Sequence, residues 1–541
     1  MTKQSLADPL RFPVFRRLWI GGILSNLGTM IQTVGAGWLM VTIAQSSDTV
    51  ALVQSATTLP VVLFSMVAGV LADSYERKRV LLAAQVIMMA ASAALAVTVL
   101  GGWITPGLLL FFTFLLGCGT ALHTPSWQAA VGDVVPRDRI ADAVTLNSMA
   151  INMTRSTGPA FGGVIVAAVG AVGAFLVNAV SYVPMIYALL RWQPEAKPVT
   201  LPREDFGRAV YSGLLYAFMS PHLVIVILRG FVFGISAIAV LALLPLVARD
   251  LVQGGAVIYG ILLGAYGVGA LAAGFANASI RARYRAETIV SAGFLGFAAS
   301  MMVVAFSSNV WLTGIALIPA GACWVLALSL FNVVIQLSTP RWVVGRTLSI
   351  YQTASFGGMT AGAWLWGEIA ERHDLSTAFV IASLVAILGA AVGLRLKMPD
   401  IDAGDLSPLN RFKVPSLSID VTMRSGPVRA QIEYQVAEAN APHFVAAMTE
   451  RRRSRLRNGA RHWVLLRDLE NPSVWQENYD FPTWAEYLRC NQRPTQADGD
   501  IAERIADLVT GQGTPSVRRL IERHHVPSVD DLAIKENPEV H

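Results

Sequence analysis

Charge is scarce in this chain: Asp, Glu, Lys and Arg make up 14% of 541 residues, while 54% are hydrophobic. A soluble protein of this length needs more charge to cover its surface, so that class is excluded and a polytopic membrane protein is expected. Cysteine is nearly absent as well. Cys118, Cys323 and Cys490 lie far apart, two of them inside apolar runs, which indicates neither a disulfide framework nor a metal site. Small helix-packing residues are the plainer reading. The N-terminus has no short apolar core followed by a cleavage site. Arg11, Arg16 and Arg17 instead precede a long apolar run, and the first span is expected to stay in the mature chain. Acids are missing from the middle of the apolar runs: Asp48, Asp73, Asp133, Asp142 and Glu368 all sit at their ends.

What is present is a series of apolar runs, each near the roughly 20 residues that cross a bilayer. They fall at 18–44, 50–72, 79–100, 104–131, 139–166, 171–191, 222–249, 255–279, 286–306, 311–335, 344–370 and 375–396, and predict twelve spans. The net charge of +6 would suit a nucleic-acid partner, but the basic residues follow membrane topology instead. Arg77, Lys78 and Arg79, then Arg137 and Arg139, then Arg191, Lys197, Arg203 and Arg208, occupy every second loop. Arg281, Arg283, Arg285, Arg341, Arg346, Arg395 and Lys397 continue the alternation, whereas the opposite loops carry only Arg249 and Arg372. Positive loops stay inside, so both termini and the 192–221 linker are expected in the cytoplasm.

One stretch organises the rest. Asn147 to Gly163 reads NSMAINMTRSTGPAFGG, an arginine and a Gly-Pro pair within a spanning run. An arginine at a helix centre costs about 2.5–3.5 kcal/mol on the insertion scale, so Arg155 is expected to face protein or a water-filled cavity. Gly158, Gly162 and Gly163 clear a helical stripe for a close neighbour, and Pro159 weakens the backbone ladder beside it. The same region has an echo at Tyr351 to Gly367, an offset of about 204 residues. At that offset Asp73 aligns with Asn277, Arg77 with Arg281, Arg79 with Arg283, Pro136-Arg137 with Pro340-Arg341, and Gly158 with Gly362. Two six-helix bundles, 1–191 and 222–396, follow from this duplication, with a cavity between them at mid-membrane suited to alternating access.

Past residue 397 a linker to 425 leads into a soluble pattern. Val428 to Val436 alternates as a strand, Ala439 to Arg457 reads as a helix with Phe444, Val445, Met448 and Leu456 inward, and further strands and helices follow to 512. The order predicts a small α+β ferredoxin-like cytosolic domain, 426–512, and a polar tail, 513–541. Arg451 to Arg457 would form a solvated face or press on anionic lipid. His443, His462, Trp463 and Trp475 would line a small cleft, with no nucleophile-base pair or metal spacing.

Gly69-Val-Leu-Ala-Asp73-Ser-Tyr-Glu-Arg77-Lys78-Arg79 resembles the loop signature of the major facilitator superfamily, with Ser74 and Glu76 where that pattern has arginine and glycine. Gly158-Pro159-Ala-Phe-Gly162-Gly163 resembles the fifth-helix signature of the superfamily's antiporters, with Thr154 where another glycine is usual. Phe15-Arg-Arg-Leu-Trp19, Leu59-Pro60, Pro125-Ser-Trp127-Gln128, Asn147, Asn152, Arg155 and Phe175-Leu-Val-Asn178 are similar to the branch containing the enterobactin exporter. This resemblance covers 11–396 and implies proton-driven export of small amphiphilic molecules, siderophores and drugs among them, across the cytoplasmic membrane. The last domain resembles an antibiotic-biosynthesis-monooxygenase-like module fused to some members, on Trp475, Phe481 and Trp484-Ala-Glu-Tyr487.

Substrate contacts are expected from polar and aromatic residues turned to the central cavity: Asn26, Gln32, Trp38, Gln54, Trp127, Gln128, Asn152 and Arg155 in the first half, and Arg229, Tyr259, Tyr266, Asn332, Gln336, Tyr351 and Gln352 in the second. For each neutral residue the competing role is a helix-helix hydrogen bond. Gly69, Asp73, Arg77, Lys78, Arg79, Gly158, Pro159, Gly162 and Gly163 are the expected gating set. His123 and Glu368 remain as proton-coupling candidates. No cofactor is indicated. The terminal domain is read as a sensor or dimerisation module, with two alternatives for the whole: a catalytic domain that modifies the substrate, or an importer of the same fold.

Overall fold

A computed structural model describes residues 8–74, 76–136, 139–193, 206–340, 342–399, 406, 409, 411–510 and 516–522. The chain divides into two units, one of residues 1–206, 222–335 and 348–400, the other of 207–221, 336–347 and 401–541.

The first unit is helical. Its first half holds α1 (Pro13–Ile43), α2 (Ser47–Ser74), α3 (Arg77–Leu100), α4 (Pro106–Val134), α5 (Ile140–Ser181) and α6 (Val183–Arg191). Its second half holds α8 (Pro221–Leu246), α9 (Ala256–Arg283), α10 (Ala286–Phe306), α11 (Val310–Leu337), α12 (Val344–Arg372) and α13 (Leu375–Arg395); the short α7 (Phe206–Phe218), which precedes them in the chain, belongs from residue 207 to the second unit. Among the described residues nine helices are long and apolar enough to cross a membrane. α1 and α12 fall outside that number although they have 31 and 29 residues. Ser25, Asn26, Thr29 and Gln32 in α1, and Gln352, Thr353, Ser355 and Thr360 in α12, thin out the apolar surface. α5 contains a break at Gly170, whose φ of 74° is one that glycine adopts without strain.

Side-chain packing repeats between the halves. A Cβ on Gly158 would stand 2.5 Å from Met30 on α1, and a Cβ on Gly362 would stand 2.5 Å from the Ile235 carbonyl on α8. Thus α5 lies on α1 as α12 lies on α8, which is what the offset in the sequence requires. The first half is cored by Phe15, Leu18, Leu81, Trp127, Val131, Met185 and Leu189. The second is cored by rings, with Phe233 edge-on to Phe294 at 5.1 Å and beside Phe297 and Phe331.

The second unit carries a four-stranded antiparallel sheet in the order β2-β3-β1-β4, with β1 (Val428–Gln435), β2 (Arg461–Arg467), β3 (Val474–Phe481) and β4 (Ser516–Ile521). Between them run α14 (Ala441–Arg457), α15 (Trp484–Gln492) and α16 (Gln496–Leu508). Val428, Ala430, Ile432 and Tyr434 alternate inward onto Phe444 and Met448. Thr483 caps α15, and Thr495 with Asp498 forms a capping box on α16. Three expectations need correction. β4 falls in the stretch assigned to a polar tail and pairs with β1 from Val428↔Ile521 to Glu433↔Ser516. Val445 is 40% exposed, because α14 turns a narrower apolar stripe to the sheet. Arg451 and Arg455 face neither solvent nor lipid: both turn to the fully buried Glu477, at 2.9 and 3.8 Å. Tyr434 Oη and Trp463 Nε1 also donate to that carboxylate, at 2.7 and 2.9 Å. Burial pushes the Glu477 carboxyl up, but the two guanidiniums pull it below the usual carboxylate range. Of the residues expected to line a cleft, Trp463 belongs to this network, Trp475 packs on Phe444 with centroids 5.6 Å apart, and His462 pairs with Asp480 at 3.4 Å.

Candidate functional site

The two helical halves of the first unit meet along two seams related by the same repeat. In one, α5 crosses α9 with almost no side chain between them. A Cβ on Gly163 would stand 2.9 Å from the Gly260 Cα, and one on Gly260 would stand 2.7 Å from the Gly163 Cα. In the other, α12 crosses α2. A Cβ on Gly367, the repeat mate of Gly163, would stand 2.6 Å from Ala51 and 2.9 Å from the Asp48 Cα. Ser55 Oγ donates to the Thr360 carbonyl at 2.9 Å, Thr58 and Thr360 share a hydroxyl bond at 2.7 Å, and Ser65 and Thr353 share one at 2.8 Å. The seams close at the end where α2 begins: Ser47 N donates to Glu371 at 2.5 Å, and Arg249 Nη1 donates to the Val41 carbonyl at 3.1 Å.

Arg155 borders the first seam. It lies two turns before Gly163 on the α5 face turned to α9, and Tyr266 of α9 is within its electrostatic reach. The side chain keeps exposed surface although protein surrounds its head. With exposed surface inside a spanning run, a guanidinium can be hydrated and can attract an anionic or polar guest. Tyr266 is buried with its hydroxyl unbonded, and Tyr259 stands over Gly37 of α1, where a Cβ would meet its hydroxyl at 2.8 Å. Arg155 and Tyr266 are therefore the predicted residues that the fold brings together, while Tyr259 lies two turns along α9 against α1.

Other predicted residues are occupied elsewhere. Gln32 accepts from Ser92 and from Asn178 Nδ2, the latter at 2.5 Å, inside the first half. Trp127 is core, with Nε1 donating to Asn147 Oδ1 at 3.1 Å. Arg229, 1% exposed, lies near the start of α8 and pairs with Glu287 at 2.5 Å. Glu287 also accepts from Ser291 Oγ and Met398 N, each at 2.7 Å, so the group clamps α8, α10 and the chain leaving α13. Asn332 donates to its own helix at Leu328, and Tyr351 packs on Gly230 within the second half. Asn26, Trp38, Gln54 and Gln352 are half-buried, while Gln128 and Gln336 are exposed. A groove of about 430 Å³ between α1 and the end of α5, lined by Leu24, Leu27, Ile31, Val177 and Val180 among others, contains none of the candidates.

The gating set also divides. Gly158 and Gly162 pack on α1 within one half, and Gly163 alone of the three meets the other half. Arg77 pairs with Asp133 of α4, Lys78 Nζ donates to the Trp192 carbonyl at 2.5 Å, and Arg79 pairs with Glu76 at 2.8 Å. The surroundings of Gly69 and the side chains of Asp73 and Asn152 lie outside the described residues, as do residues 194–205 of the linker. Glu368 is paired with Arg372 at 2.5 Å near the end of α12. His123 bonds through Nδ1 to Gln85 Nε2 at 3.2 Å. Sequence reasoning missed Gly260, Gly264, Gly367 and the hydroxyl pairs. Gly260 and Gly264 carried a usable signal, small residues four apart in an apolar run.

A family profile described as transmembrane secretion effector matches residues 4–526. The Staphyloferrin A transporter of Staphylococcus aureus is 27% identical over 255 residues, 46% of this chain and 62% of that protein's length. The enterobactin exporter EntS of Citrobacter koseri is 24% identical over 407 residues, 74% of this chain and 94% of EntS. The crystal structure of a D-xylose-proton symporter superposes with a TM-score of 0.59 at 13% identity, covering 73% of this chain and 99% of that one, a likeness of fold. The relatives are membrane transporters and not enzymes.

Proposed function

The chain belongs to the transmembrane secretion effector family, within the major facilitator superfamily, and from that membership we propose that it exports small drug- or siderophore-like molecules. Transport proceeds by alternating access, with protons as the exchanged ion. One observation carries this reading: a glycine-lined seam, Gly163 against Gly260, with its repeat mate at Gly367, and an enclosed guanidinium, Arg155, at the border of the first. Twelve spans are proposed from the nine apolar helices together with α1, α12 and the division of α5 at Gly170. The positive loops put both termini in the cytoplasm of a bacterial inner membrane, so the closed end of the seams faces outward. The outer seam then seals the substrate path while Arg155 and Tyr266 remain reachable from inside. The terminal sheet, in β2-β3-β1-β4 order, supports a ferredoxin-like domain, which we assign to sensing or to pairing of two copies.

Inside-out vesicles test the proposal. A panel of catecholate and carboxylate siderophores and amphiphilic drugs is offered with an acid-inside gradient and again with an uncoupler. Export predicts uptake of at least one compound that the uncoupler abolishes. Arg155→Ala should lower that uptake about tenfold, a loss of about 1.4 kcal/mol of interaction, with the protein still inserted. Uptake indifferent to the gradient would overturn proton coupling, and normal flux in the variant would remove Arg155 from the path.

A further inference from the structure

We propose that His123 is the group that binds the exchanged proton, and that Gln85 passes its charge state to α1; this rests on the proton-coupled reading above. His123 lies within α4, half-buried, and the same helix leaves Thr120, Thr124 and Gln128 exposed one turn apart. A polar, accessible stripe within a spanning segment gives the imidazole a route to water. Its ring lies nearly parallel to Trp127, 8° off with centroids 6.3 Å apart.

The bond to Gln85 makes the site bistable. Gln85 is completely buried on α3; its Nε2 faces His123 Nδ1 at 3.2 Å and its Oε1 accepts from Ser25 Oγ at 3.5 Å. Neutral imidazole accepts at Nδ1 from the amide. A ring that has taken a proton from water donates at both nitrogens, so Gln85 must present its oxygen to the ring and its NH2 to Ser25. Ser25 then changes from donor to acceptor. A stripe on α1 continues from there: Thr29 donates to the Ser25 carbonyl at 2.9 Å and bonds Tyr182 at 3.3 Å, and Asn178 joins Tyr182, at 3.1 Å, to Gln32. α1 in turn is the helix on which Gly158 and Gly162 seat α5, which forms the first seam. In exchange for the exported molecule, the ring takes its proton from outer water while the seams are open there and returns it to inner water once they have closed.

Among the described residues no charged side chain answers the ring directly. On α3, Arg77 and Arg79 pair with Asp133 and Glu76, and Lys78 bonds backbone carbonyls. On α4 the acid is Asp133; on α1, Arg16 and Arg17 sit in the first turn; α2 has Asp48 in its first turn; α5 has Asp142, near Arg139, and Arg155, turned to α9. Glu368, the other coupling candidate, is occupied by Arg372.

The test uses the full chain in proteoliposomes, with one compound found in the vesicle panel as probe. One pH unit can sustain about tenfold accumulation for each proton exchanged. In His123→Gln the ratio of uptake with and without the gradient should fall to about one, and the pH profile of the remaining flux should flatten. Ser25→Ala, which leaves the His123–Gln85 pair intact, should lower the same ratio at least several-fold, and serves if His123→Gln does not reach the membrane. Wild-type coupling with full gradient dependence in these variants overturns the assignment of His123 and leaves proton exchange standing. A wild type indifferent to the gradient overturns both.

Discussion

Replacing Gly163 by alanine isolates the seam between the halves. The added methyl would sit 2.9 Å from the Gly260 Cα and 3.1 Å from the Ala256 carbonyl, where ordinary contact begins at 3.4 Å. Both obstacles are backbone, so no side chain can swing aside, and the helices must part by roughly half an ångström or more. Overpacking of this kind costs about 1–3 kcal/mol, which lowers the ratio of closed to open seam about 5- to 150-fold. A disulfide reports that ratio. A Cβ on Gly264 would lie 3.7 Å from the Ala160 Cβ, inside the roughly 3.5–4.5 Å that a disulfide bridges. In a chain whose own three cysteines are replaced by serine, Ala160→Cys with Gly264→Cys should therefore cross-link rapidly under mild oxidant. Adding Gly163→Ala should slow the reaction and lower transport. Gly367→Ala, acting on the related seam, should do the same. Cross-linking at the original rate in both alanine variants would refute the reasoning, because it would mean that the glycine contacts do not set the closed state.

Two further outcomes concern buried charges. Glu287→Gln leaves Arg229 buried opposite a neutral partner and should cost about 3 kcal/mol, the lower end for a broken buried pair, since Glu287 keeps 26% of its surface. Adding Arg229→Met should restore much of it, as read by the temperature at which the detergent-solubilised chain loses its monodisperse elution; equal losses in single and double variants would contradict this. Glu477→Gln should lower hydrogen-exchange protection of β1 and β3 by about 3–5 kcal/mol. The Glu477 carboxyl is held below its ordinary value, so its contribution is full above about pH 4.3 and disappears as pH falls through the depressed folded value. Protection, corrected for intrinsic exchange rates, should accordingly drop in acid for the parent chain and stay flat for the variant.

Which stretches form the long helices was legible in the sequence; direction around each helix was much less so. Long apolar runs and the offset between Gly158 and Gly362 were enough to place the helices and to pair α5 on α1 with α12 on α8. The polar residues were harder. Gln32, Trp127 and Arg229 carry polar groups as Arg155 does, but whether such a group turns to a neighbour or to open space depends on partners far away in sequence, Asn178, Asn147 and Glu287. Gly163 was read as part of one stripe with Gly158 and Gly162, yet its partner is Gly260 of the other half. In the terminal domain the alternation of Val428 to Gln435 was plain, while β4 was hidden because Arg518 and Arg519 made an edge strand read as polar chain.

The composition of the seams has a consequence for cycling. Along α2 and α12 the halves are joined by serine and threonine hydroxyls, and along α5 and α9 by bare glycine backbone. When these faces separate, water replaces each hydroxyl partner at little enthalpic cost, and among the described residues of these contacts no buried charge has to be hydrated. Parting and rejoining should therefore be nearly indifferent to ionic strength along that length, leaving any salt sensitivity to the Ser47–Glu371 and Arg249 contacts at the rim.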